Sequence, residues 1–498
     1  MATADVLEVG ARLLDAPGDE MVASALAAEL DAQRGLTHEI GLADLAHSVA
    51  LVEGGVIPRG PGAALLEALL ALHDHPELLV LDPRRGDLYT NREAWLVERT
   101  DAAGWLGAGR ARREATTTAL HLGVRRRLLG LAGALVGCGR ALVARAAALR
   151  DALAPDYTYL QAAQPTSFGH TLLAAVPGIV RDLDRVRGCL ARWDLSPAGC
   201  GSANGSRVPQ DRRRMAELLG FAGIVEHARD AMWQADLPIE TAAVVVAALV
   251  NVDRLAEDLL FYSSAEVGFV ELSDAHARAS KIMPHKKNPY ALAYVRAAAN
   301  RAIGAQAAIA ASGRMPSGQV DSRLFAYGSV PQAISDAAAA IELCRAVFAG
   351  LRFHAPRAAA HLAASFTAAT DLAETLAATA RIDFRSAHRI VGALARELAE
   401  SGRAASTITP ADVAATALRA TGLPIELDAA ALARALDPAS AVRARGGPGG
   451  AAPEAIDALV DELAARLAAH EAWRAAAAER AAAAERALVA VARQQAAR

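Results

Sequence analysis

Apolar and polar residues recur with a helical period along most of this chain. In the first 110 residues the period comes in short stretches between Gly and Pro residues, and it predicts helices over 23–38, 42–51, 63–73 and 91–100. Farther along it comes in long stretches, which predict helices over 116–154, 165–193, 238–263, 289–312 and 330–349. Helices this long cannot each bury an apolar stripe inside a small monomer, so the pattern predicts a bundle that subunits share.

The same pattern divides the chain into three regions. It predicts an N-terminal helical domain at 1–110, a central long-helix bundle at 111–363 and a C-terminal helical domain at 364–498. A length of 498 residues is in keeping with about three domains. The stretch 443–453 is rich in Gly and Pro and predicts a loop. The last ~30 residues repeat Ala, Glu and Arg, which predicts a solvated helix or a frayed tail.

Composition supports an all-α fold. Hydrophobic residues make up 53% of the chain but aromatic residues only 4%, and Ala and Leu, which favour helix, dominate. The formal net charge of −3 gives no strong field for nucleic acid or for an anionic membrane. The longest apolar run, 242–250, is far shorter than the ~20 residues of a membrane span. We therefore expect neither nucleic acid nor a membrane as a partner.

Cysteine and histidine residues give no sign of a cofactor. The four cysteines are dispersed without the spacing of metal ligands, and we expect reduced thiols in a cytoplasmic protein without a secretory signal. The 13 histidines form no His-x-x-x-His pair joined to carboxylates, and no Gly-x-Gly-x-x-Gly follows a predicted strand. The sequence therefore predicts neither a metal nor an organic cofactor.

One segment, 279–289, concentrates chemically active groups. It holds the Ser280 hydroxyl, three lysines, the His285 imidazole and the Asn288 amide within nine residues. A hydroxyl can act as a base only where positive charge and hydrogen-bond donors stabilise its alkoxide, and Lys286 would supply the charge. Asn288 followed by Pro289 predicts a helix N-cap, whose helix adds positive potential. The alternative is a solvated basic turn.

This segment resembles the signature loop of the fumarase/aspartase/argininosuccinate lyase superfamily, Gly-Ser-Ser-x-Met-Pro-x-Lys-x-Asn. The matching residues are Ser280, Met283, Pro284, Lys286 and Asn288. Ala279 replaces the Gly and Lys281 replaces the second Ser. The resemblance implies that Ser280 is the catalytic base, with Lys286 in the catalytic machinery and both Asn288 and His285 near the substrate.

The stretch 156–170 resembles the family segment Gly-Tyr-Thr-His-Leu-Gln-x-Ala-Gln-Pro-x-x-Phe-Gly-His. Thr158 and Gln161 are retained as hydrogen-bond donors, whereas Tyr159 stands in place of the family's active-site His. In relatives that His pairs with a Glu thirteen residues after the catalytic Ser, and Ala293 occupies that position here. Loss of both partners together implies either remodelling or relaxed constraint on the leaving-group side. In an active lyase, Tyr159 or His285 would replace the lost acid, or the leaving group would need no protonation.

The entrance of the first long helix, 104–114, resembles the argininosuccinate lyase motif His-Thr-Gly-Arg-Ser-Arg-Asn-Asp. Arg110 and Arg112 match, while Arg113 and Glu114 replace the Asn and the Asp. Guanidinium groups pair with both oxygens of a carboxylate, so we expect these three arginines to hold a substrate carboxylate. The alternative is a surface basic patch. Upstream, 87–91 resembles the family's Glu-Asp-Ile-His-Thr, which makes Asn91 either a substrate contact or a plain helix start.

Two loops complete the set of candidates. The glycine-rich stretch 198–206 resembles, together with the two residues before it, the family's Ser-Pro-Leu-Gly-Ala-Gly; otherwise it is a flexible linker. The stretch 315–327 resembles Leu-Pro-x-x-Tyr-x-x-Asp-Leu-Gln-x-x-Lys, and Gln319 takes the place of a substrate-binding Tyr. Leu324 and Tyr327 replace the Gln and the Lys, so a polar loop between two helices is the favoured interpretation.

The resemblance extends over nearly the whole chain. It implies an all-α, three-domain fumarase/aspartase-like fold, a 20-helix bundle in a homotetramer, and active sites assembled from three subunits. It also implies a carbon–nitrogen lyase that eliminates fumarate from an N-substituted aspartate, or adds an amine in reverse. Because the leaving-group residues differ, we expect a substrate other than argininosuccinate. The alternatives are a genuine argininosuccinate lyase of arginine biosynthesis and a non-catalytic homologue with a structural or regulatory role.

Overall fold

Helices form most of the structure, as the composition predicts. The computed structural model describes residues 12–317 and 323–498. Its α-helices are α1 (Asp19–Met21), α2 (Ala27–Gln33), α3 (Thr37–Glu53), α4 (Arg59–Asp74), α5 (Leu88–Val97), α6 (Arg112–Ala148), α7 (Phe168–Leu173), α8 (Val176–Trp193), α9 (Arg212–Leu218), α10 (Ala228–Met232), α11 (Asp236–Tyr262), α12 (Tyr290–Ser312), α13 (Arg323–Gly350), α14 (Ala355–Ala364), α15 (Ala369–Ala380), α16 (Phe384–Ser401), α17 (Pro410–Thr421), α18 (Ala429–Leu436), α19 (Pro438–Arg443) and α20 (Pro453–Ala496). The predicted all-α fold class is confirmed.

Short strands form four separate two-stranded pairs among the described residues. The strands are β1 (Leu153–Thr158), β2 (Gln161–Ser167), β3 (Leu195–Ser196), β4 (Gly223–Ile224), β5 (Val270–Glu271), β6 (Arg278–Ala279), β7 (Lys287–Asn288) and β8 (Arg352–Phe353). β1 pairs with β2, β5 with β8 and β6 with β7 in antiparallel fashion, whereas β3 and β4 are parallel. None of them forms a larger sheet, so helix packing builds most of the core, with small contributions from strand residues such as Ala154 and Val270.

Specific contacts fix the directions of the bundle helices. Thr117 near the start of α6 lies 3.2 Å from the Tyr327 hydroxyl near the start of α13, measured between the two hydroxyl oxygens. Near the other end of α6, Arg145 donates to the Leu351 carbonyl that follows α13. The helices α6 and α13 are therefore parallel along their whole length.

Two further helices of the bundle are placed in the same way. The Trp193 indole at the end of α8 donates to Thr241 near the start of α11, so these two helices are antiparallel. At the far end of α11, the Tyr262 and Phe168 ring centroids lie 6.3 Å apart. Phe168 in turn stacks on Phe353, which follows α13. The bundle therefore has an amino end, where α6, α11 and α13 begin, and a carboxyl end, where they finish.

The length of α6 separates these two ends. It contains 37 residues, which at ~1.5 Å per residue span ~55 Å. Helix α12 runs in the opposite direction, because a Cβ on Gly313 just beyond its end would lie 3.1 Å from Ile239 near the start of α11. Loops that precede α12 are consequently at the carboxyl end, and loops that precede α6 are at the amino end.

A β-hairpin replaces the helix ends predicted around residue 155. Helix α6 stops at Ala148, and β1 and β2 then pair through Pro155 opposite Pro165. The prediction of continuous helices over 116–154 and from 165 is wrong here, because proline removes an amide donor and obstructs the preceding helical turn. The next predicted helices, 238–263 and 289–312, agree with α11 and α12 to within two residues.

Of the two alternatives predicted for the C-terminal residues, the helix is confirmed and the frayed tail is wrong. Helix α20 has 44 residues and is not fully solvated, because it packs on α6, α4 and α3. Its buried residues Leu463, Leu467 and Leu488 join the large hydrophobic cluster of the bundle. A second cluster is formed by α15 to α18, with buried apolar residues between 372 and 435. The predicted third region thus contributes to two clusters, and the boundaries at 110 and 363 stay predictions.

One helix among the described residues is long and apolar enough to span a membrane by length and composition. This helix is α6. Its most apolar window is 61% buried by the surrounding helices. Such burial is typical of a core helix of a soluble protein.

Gly169 offers a test of the junction between α6 and the β1–β2 hairpin. A Cβ at this buried position would lie 2.4 Å from the Ala146 carbonyl oxygen and 2.8 Å from the Arg150 amide nitrogen. Because these are backbone atoms, Gly169→Ala should destabilise the fold by about 1–3 kcal/mol. Gly392→Ala is the matched control within α16, with open space around its Cβ, and should stabilise by about 0.5–1 kcal/mol. Thermal unfolding of both variants measures the difference, and equal shifts would contradict the packing described.

Candidate active site

A short hairpin carries the segment 279–289. Arg278 pairs with Asn288 across β6 and β7, and the Asn288 side-chain amide donates to the Arg278 carbonyl at 3.0 Å. The predicted N-cap at Asn288 is therefore wrong: its amide closes the hairpin, and Pro289 precedes the first helical residue, Tyr290. The start of α12 still follows the hairpin directly, so its positive end lies next to the loop.

The base of this hairpin is held by an ion-pair network. Lys287 Nζ lies 2.8 Å from Glu271 Oε1 and 2.7 Å from Asp274 Oδ1. Arg352 in β8 also binds the Glu271 carboxylate. The hydrogen bonds from Lys287 and Arg352 lower the pKa of Glu271 to about 2, so this acceptor stays ionised at neutral pH. Lys287 is thereby a structural cation, which leaves the other loop lysines for different roles.

The loop between β6 and β7 gives the Ser280 hydroxyl a backbone hydrogen-bond donor. The Met283 amide donates to Ser280 Oγ at 3.1 Å, and such a donor stabilises an alkoxide. The Lys286 amide donates to the Met283 carbonyl at 3.1 Å, which closes the turn. The side chains of Lys281, His285 and Lys286 are exposed and form no ion pair within the described parts of the chain.

The tip of the β1–β2 hairpin carries the second set of predicted residues. Tyr159 and Leu160 form its two-residue turn with φ angles of 54° and 57°. Non-glycine residues adopt this left-handed region at a cost of about 1–2 kcal/mol each. Tyr159 is 99% exposed, and the flanking Thr158 and Gln161 are exposed as well. The strained tip therefore presents all three side chains away from their own subunit.

An aromatic cluster anchors this hairpin behind its tip. The Tyr157 ring lies 5.1 Å from Phe261 between centroids, and its hydroxyl lies 3.1 Å from His361 Nδ1. Phe261 belongs to the last turn of α11, which places the hairpin at the carboxyl end of the bundle. Sequence analysis did not identify Tyr157 and His361 as supporting residues. The position of Tyr157, one residue before the retained Thr158, could have indicated its role.

The arginines predicted to bind carboxylate separate into two kinds. Arg112 opens α6 and is 52% exposed, with its Nε 3.7 Å from Asp87, and Arg113 is half-buried. Arg110 is instead buried and donates to Asp44 at 2.7 Å. Asp44 also accepts from Arg92 at 2.8 Å. Arg110 thus completes an internal ion-pair network, and its position does not support the expected contact with a substrate.

Asn91 is likewise an internal residue. Its side chain is fully buried and donates to the carbonyls of Asp82, Gly86 and Asp87 at 3.0–3.1 Å. Its Oδ1 accepts from the Asp82 amide at 2.8 Å. All donors and acceptors of the Asn91 amide are occupied by backbone, so it supports the loop in front of α5 rather than facing a ligand.

Gln319 lies outside the described residues. Of the neighbouring positions, Tyr327 contacts Thr117 at the amino end, and Met315, Pro316 and Ser317 line a cavity there with His227 and Trp233. Among residues 12–317 and 323–498, no group of three or more His, Cys, Asp or Glu side chains is arranged to hold a metal ion.

The structure brings the predicted residues together at two opposite places. The residues at the carboxyl end are Thr158, Tyr159, Gln161, Ser280, His285, Lys286 and Asn288. The exposed arginines Arg112 and Arg113 are at the amino end, ~55 Å away along α6. One chain therefore does not unite the proposed base with the proposed carboxylate-binding arginines.

Glu114 is a buried acid at the amino end whose role the sequence did not reveal. Its carboxylate accepts hydrogen bonds from the Gly199 and Gly201 amides, at 2.7 and 2.6 Å. Burial raises the pKa of Glu114 to about 7. The available signal was an acidic residue in the first turn of a predicted helix, directly after two arginines.

Sequence comparisons agree with the motifs. A family described as Lyase matches residues 67–304, and the argininosuccinate lyase C-terminal family matches residues 366–443. The argininosuccinate lyase of Methanothrix thermoacetophila is 34% identical over 427 residues, which cover 84% of this chain and 85% of that protein. The argininosuccinate lyase of Methanoculleus marisnigri is 34% identical over 453 residues and 90% of each chain.

Solved structures agree with the fold. An EDDS lyase in complex with formate superposes with a TM-score of 0.85 at 29% identity, over 97% of this chain and 96% of that one. The β-carboxy-cis,cis-muconate cycloisomerase of Acinetobacter calcoaceticus shares the fold at a TM-score of 0.69 and 20% identity, over 89% and 97% of the two chains. Together with the signature hairpin and the long-helix bundle, these likenesses show that the chain belongs to the argininosuccinate lyase family of the fumarase/aspartase superfamily, and that it is a carbon–nitrogen lyase.

Proposed function

We propose that this lyase eliminates fumarate from an N-substituted aspartate other than argininosuccinate, with Ser280 as the base. The geometry of the Ser280 loop carries the proposal. Its hydroxyl oxygen accepts from the Met283 amide, and Lys286, which has no ion-pair partner among the described residues, shares the same turn. A serine alkoxide requires a hydrogen-bond donor and a nearby cation, and this turn carries a residue for each role.

The reaction follows from the order in which charge develops. Ser280 removes a proton from the carbon next to a carboxylate, and the carboxylate becomes a dianion in the intermediate. Lys286 and the start of α12 supply positive potential for that dianion. The carbon–nitrogen bond then breaks, fumarate forms and the amine leaves with a proton. Tyr159 or His285 is the candidate donor of that proton, because both are exposed at the same end of the bundle.

A complete site requires another subunit. The second substrate carboxylate is assigned to Arg112 and Arg113, which lie at the end of the bundle opposite Ser280. An antiparallel neighbour would bring its amino end to this carboxyl end. Exposed apolar side chains on α12 and α13 support such an association; they are Tyr290, Tyr294, Ile303 and Phe325. This arrangement fits the homotetramer that the family resemblance implies.

The charge of the site supports a substrate different from argininosuccinate. Compared with the family motifs, the chain has gained Lys281 and Arg113 and has Ala293 where relatives have an acid. These changes outnumber the one lysine lost at Tyr327. Lys281 is exposed and has no ion-pair partner among the described residues. Added positive charge disfavours a guanidinium on the leaving amine and favours an acidic one.

One alternative keeps specific support. Relatives that are 34% identical and named argininosuccinate lyase favour that activity in this chain as well. The same relatives count against a non-catalytic homologue, although the His and Glu pair is lost. The cytoplasmic location and the independence of metals or organic cofactors belong to the proposal.

Ser280→Ala should abolish fumarate release while the fold is retained. Loss of a general base costs about 10²–10⁴-fold in rate, whereas the single hydrogen bond from Met283 contributes only about 1 kcal/mol to stability. Ser401→Ala is the control, because that hydroxyl is exposed and bonds only to its own helix. Turnover by Ser280→Ala at the rate of the Ser401→Ala control would remove Ser280 from the base role.

Mixed oligomers test the shared site. Ser280→Ala and Arg112→Ala subunits should each be inactive alone, but co-assembled in equal amounts they should leave roughly a quarter of the sites with both residues intact. Fumarate release by the co-expressed pair measures this fraction, and each variant assembled with itself is the control. A mixture no more active than its parents would contradict a site built from two subunits.

A further inference from the structure

The Glu114 carboxylate binds one loop of the amino end to the helix that carries Arg112. We call its two hydrogen bonds, from the Gly199 and Gly201 amides, the clasp. Glu114 is 1% exposed and lies in the first turn of α6. Its two oxygens accept separately from the amides of Gly199 and Gly201, at 2.7 and 2.6 Å. Bonds from two amides two residues apart hold the backbone of the loop in one orientation.

The loop at 198–206 buries the side chains of Ala198 and Cys200, while its glycines can be held only through their backbone. Gly199 and Gly201 have φ angles of 75° and 74°, and a Cβ on Gly201 would lie 2.5 Å from the Gly205 carbonyl oxygen. The Gly201 carbonyl accepts from the Ala111 amide at 3.4 Å, immediately before Arg112. The position of the loop is thereby coupled to the start of α6.

The charged surroundings of Glu114 are few. Arg110 and Arg212 attract its carboxylate, and the Cys200 thiol faces it. Arg110 is already paired with Asp44, and Arg212 donates to the Ala198 carbonyl at 3.2 Å. Burial exceeds these attractions and raises the pKa of Glu114 to about 7, so both protonation states are populated near neutral pH.

We infer that Glu114 is a positioning residue for the proposed carboxylate-binding arginines, and that protonation of its carboxyl group releases the 198–206 loop. The effect on catalysis rests on the proposed function, whereas the effect on the loop does not. An ionised carboxylate offers acceptors to both glycine amides. In a protonated one, the oxygen that carries the proton is a much weaker acceptor, so one of the two hydrogen bonds is weakened.

The direction of the pH effect follows from the pKa. Between pH 8 and pH 6 the ionised fraction of Glu114 falls from about nine-tenths to about one-tenth. The clasp is therefore complete above pH 7 and lost as pH falls through 7. Folding stability responds with the opposite sign: because the pKa is raised above that of the unfolded chain, ionisation of Glu114 lowers stability as pH rises towards 7. Loop order and global stability thus move in opposite directions.

Hydrogen–deuterium exchange of the full-length protein tests the clasp directly. After correction for intrinsic exchange rates, protection of the Gly199 and Gly201 amides should fall by about tenfold or more from pH 8 to pH 6. In Glu114→Gln, which cannot titrate, protection should be low and independent of pH. Glu114→Asp keeps a titrating carboxyl group and should keep a pH dependence.

Glu39→Gln is the matched control, since Glu39 is equally buried in α3 but lies outside the loop. It should reproduce the pH dependence of the parent protein. Protection in the parent that does not change with pH, or an unchanged pH dependence in Glu114→Gln, would overturn the inference.

Kinetics form a separate arm with whichever substrate releases fumarate. The KM for that substrate should rise as pH falls from 8 to 6 in the parent protein but should stay constant in Glu114→Gln. If the KM of both proteins responds to pH in the same way, Glu114 does not position the arginines. If no compound releases fumarate, the proposed function fails while the exchange experiment still decides on the clasp.

Discussion

The length of α6 is the constraint on which the proposed mechanism depends. A helix of 37 residues, buried along much of its length, fixes the signature hairpin and the arginine entrance ~55 Å apart. Such a helix cannot bend to bring Ser280 to Arg112 within one chain. Assembly of antiparallel subunits is therefore a condition of the proposed chemistry rather than an addition to it.

The two ends of the bundle are stabilised by different interactions. The amino end is built on buried charge, with Asp44 between two guanidinium groups and Glu114 on two backbone amides. Removing one partner of such a network leaves an uncompensated internal charge, at a cost of about 3–5 kcal/mol. At the carboxyl end ion pairs brace the base of the Ser280 hairpin, while Tyr159 and the Ser280 loop project into solvent. The exposed groups are thus those that the proposal assigns to the reaction.

Sequence periodicity predicts the bundle well, because apolar stripes in α11 and α12 leave few other arrangements. Periodicity gives the wrong prediction where proline residues or side-chain hydrogen bonds favour a structure other than helix. Pro155 and Pro165 convert two helix ends into a hairpin, and the Asn288 amide closes the β6–β7 hairpin instead of capping a helix. Motif resemblance identifies Arg110 and Asn91 as site residues but cannot tell a ligand contact from a buried support. That distinction depends on Asp44, which is distant in sequence from Arg110, and on how the backbone of the loop at 82–87 folds around Asn91.

Fumarate release from a panel of N-substituted aspartates is the most direct test of the account. The purified protein would be given argininosuccinate, adenylosuccinate, aspartate, malate and aspartates whose leaving amines carry either acidic or basic groups. Fumarate would be followed by its ultraviolet absorbance. The account predicts release from an N-substituted aspartate with an acidic leaving amine at a higher kcat/KM than from argininosuccinate. Rapid release from argininosuccinate alone, or no release from any member in either direction, would contradict it.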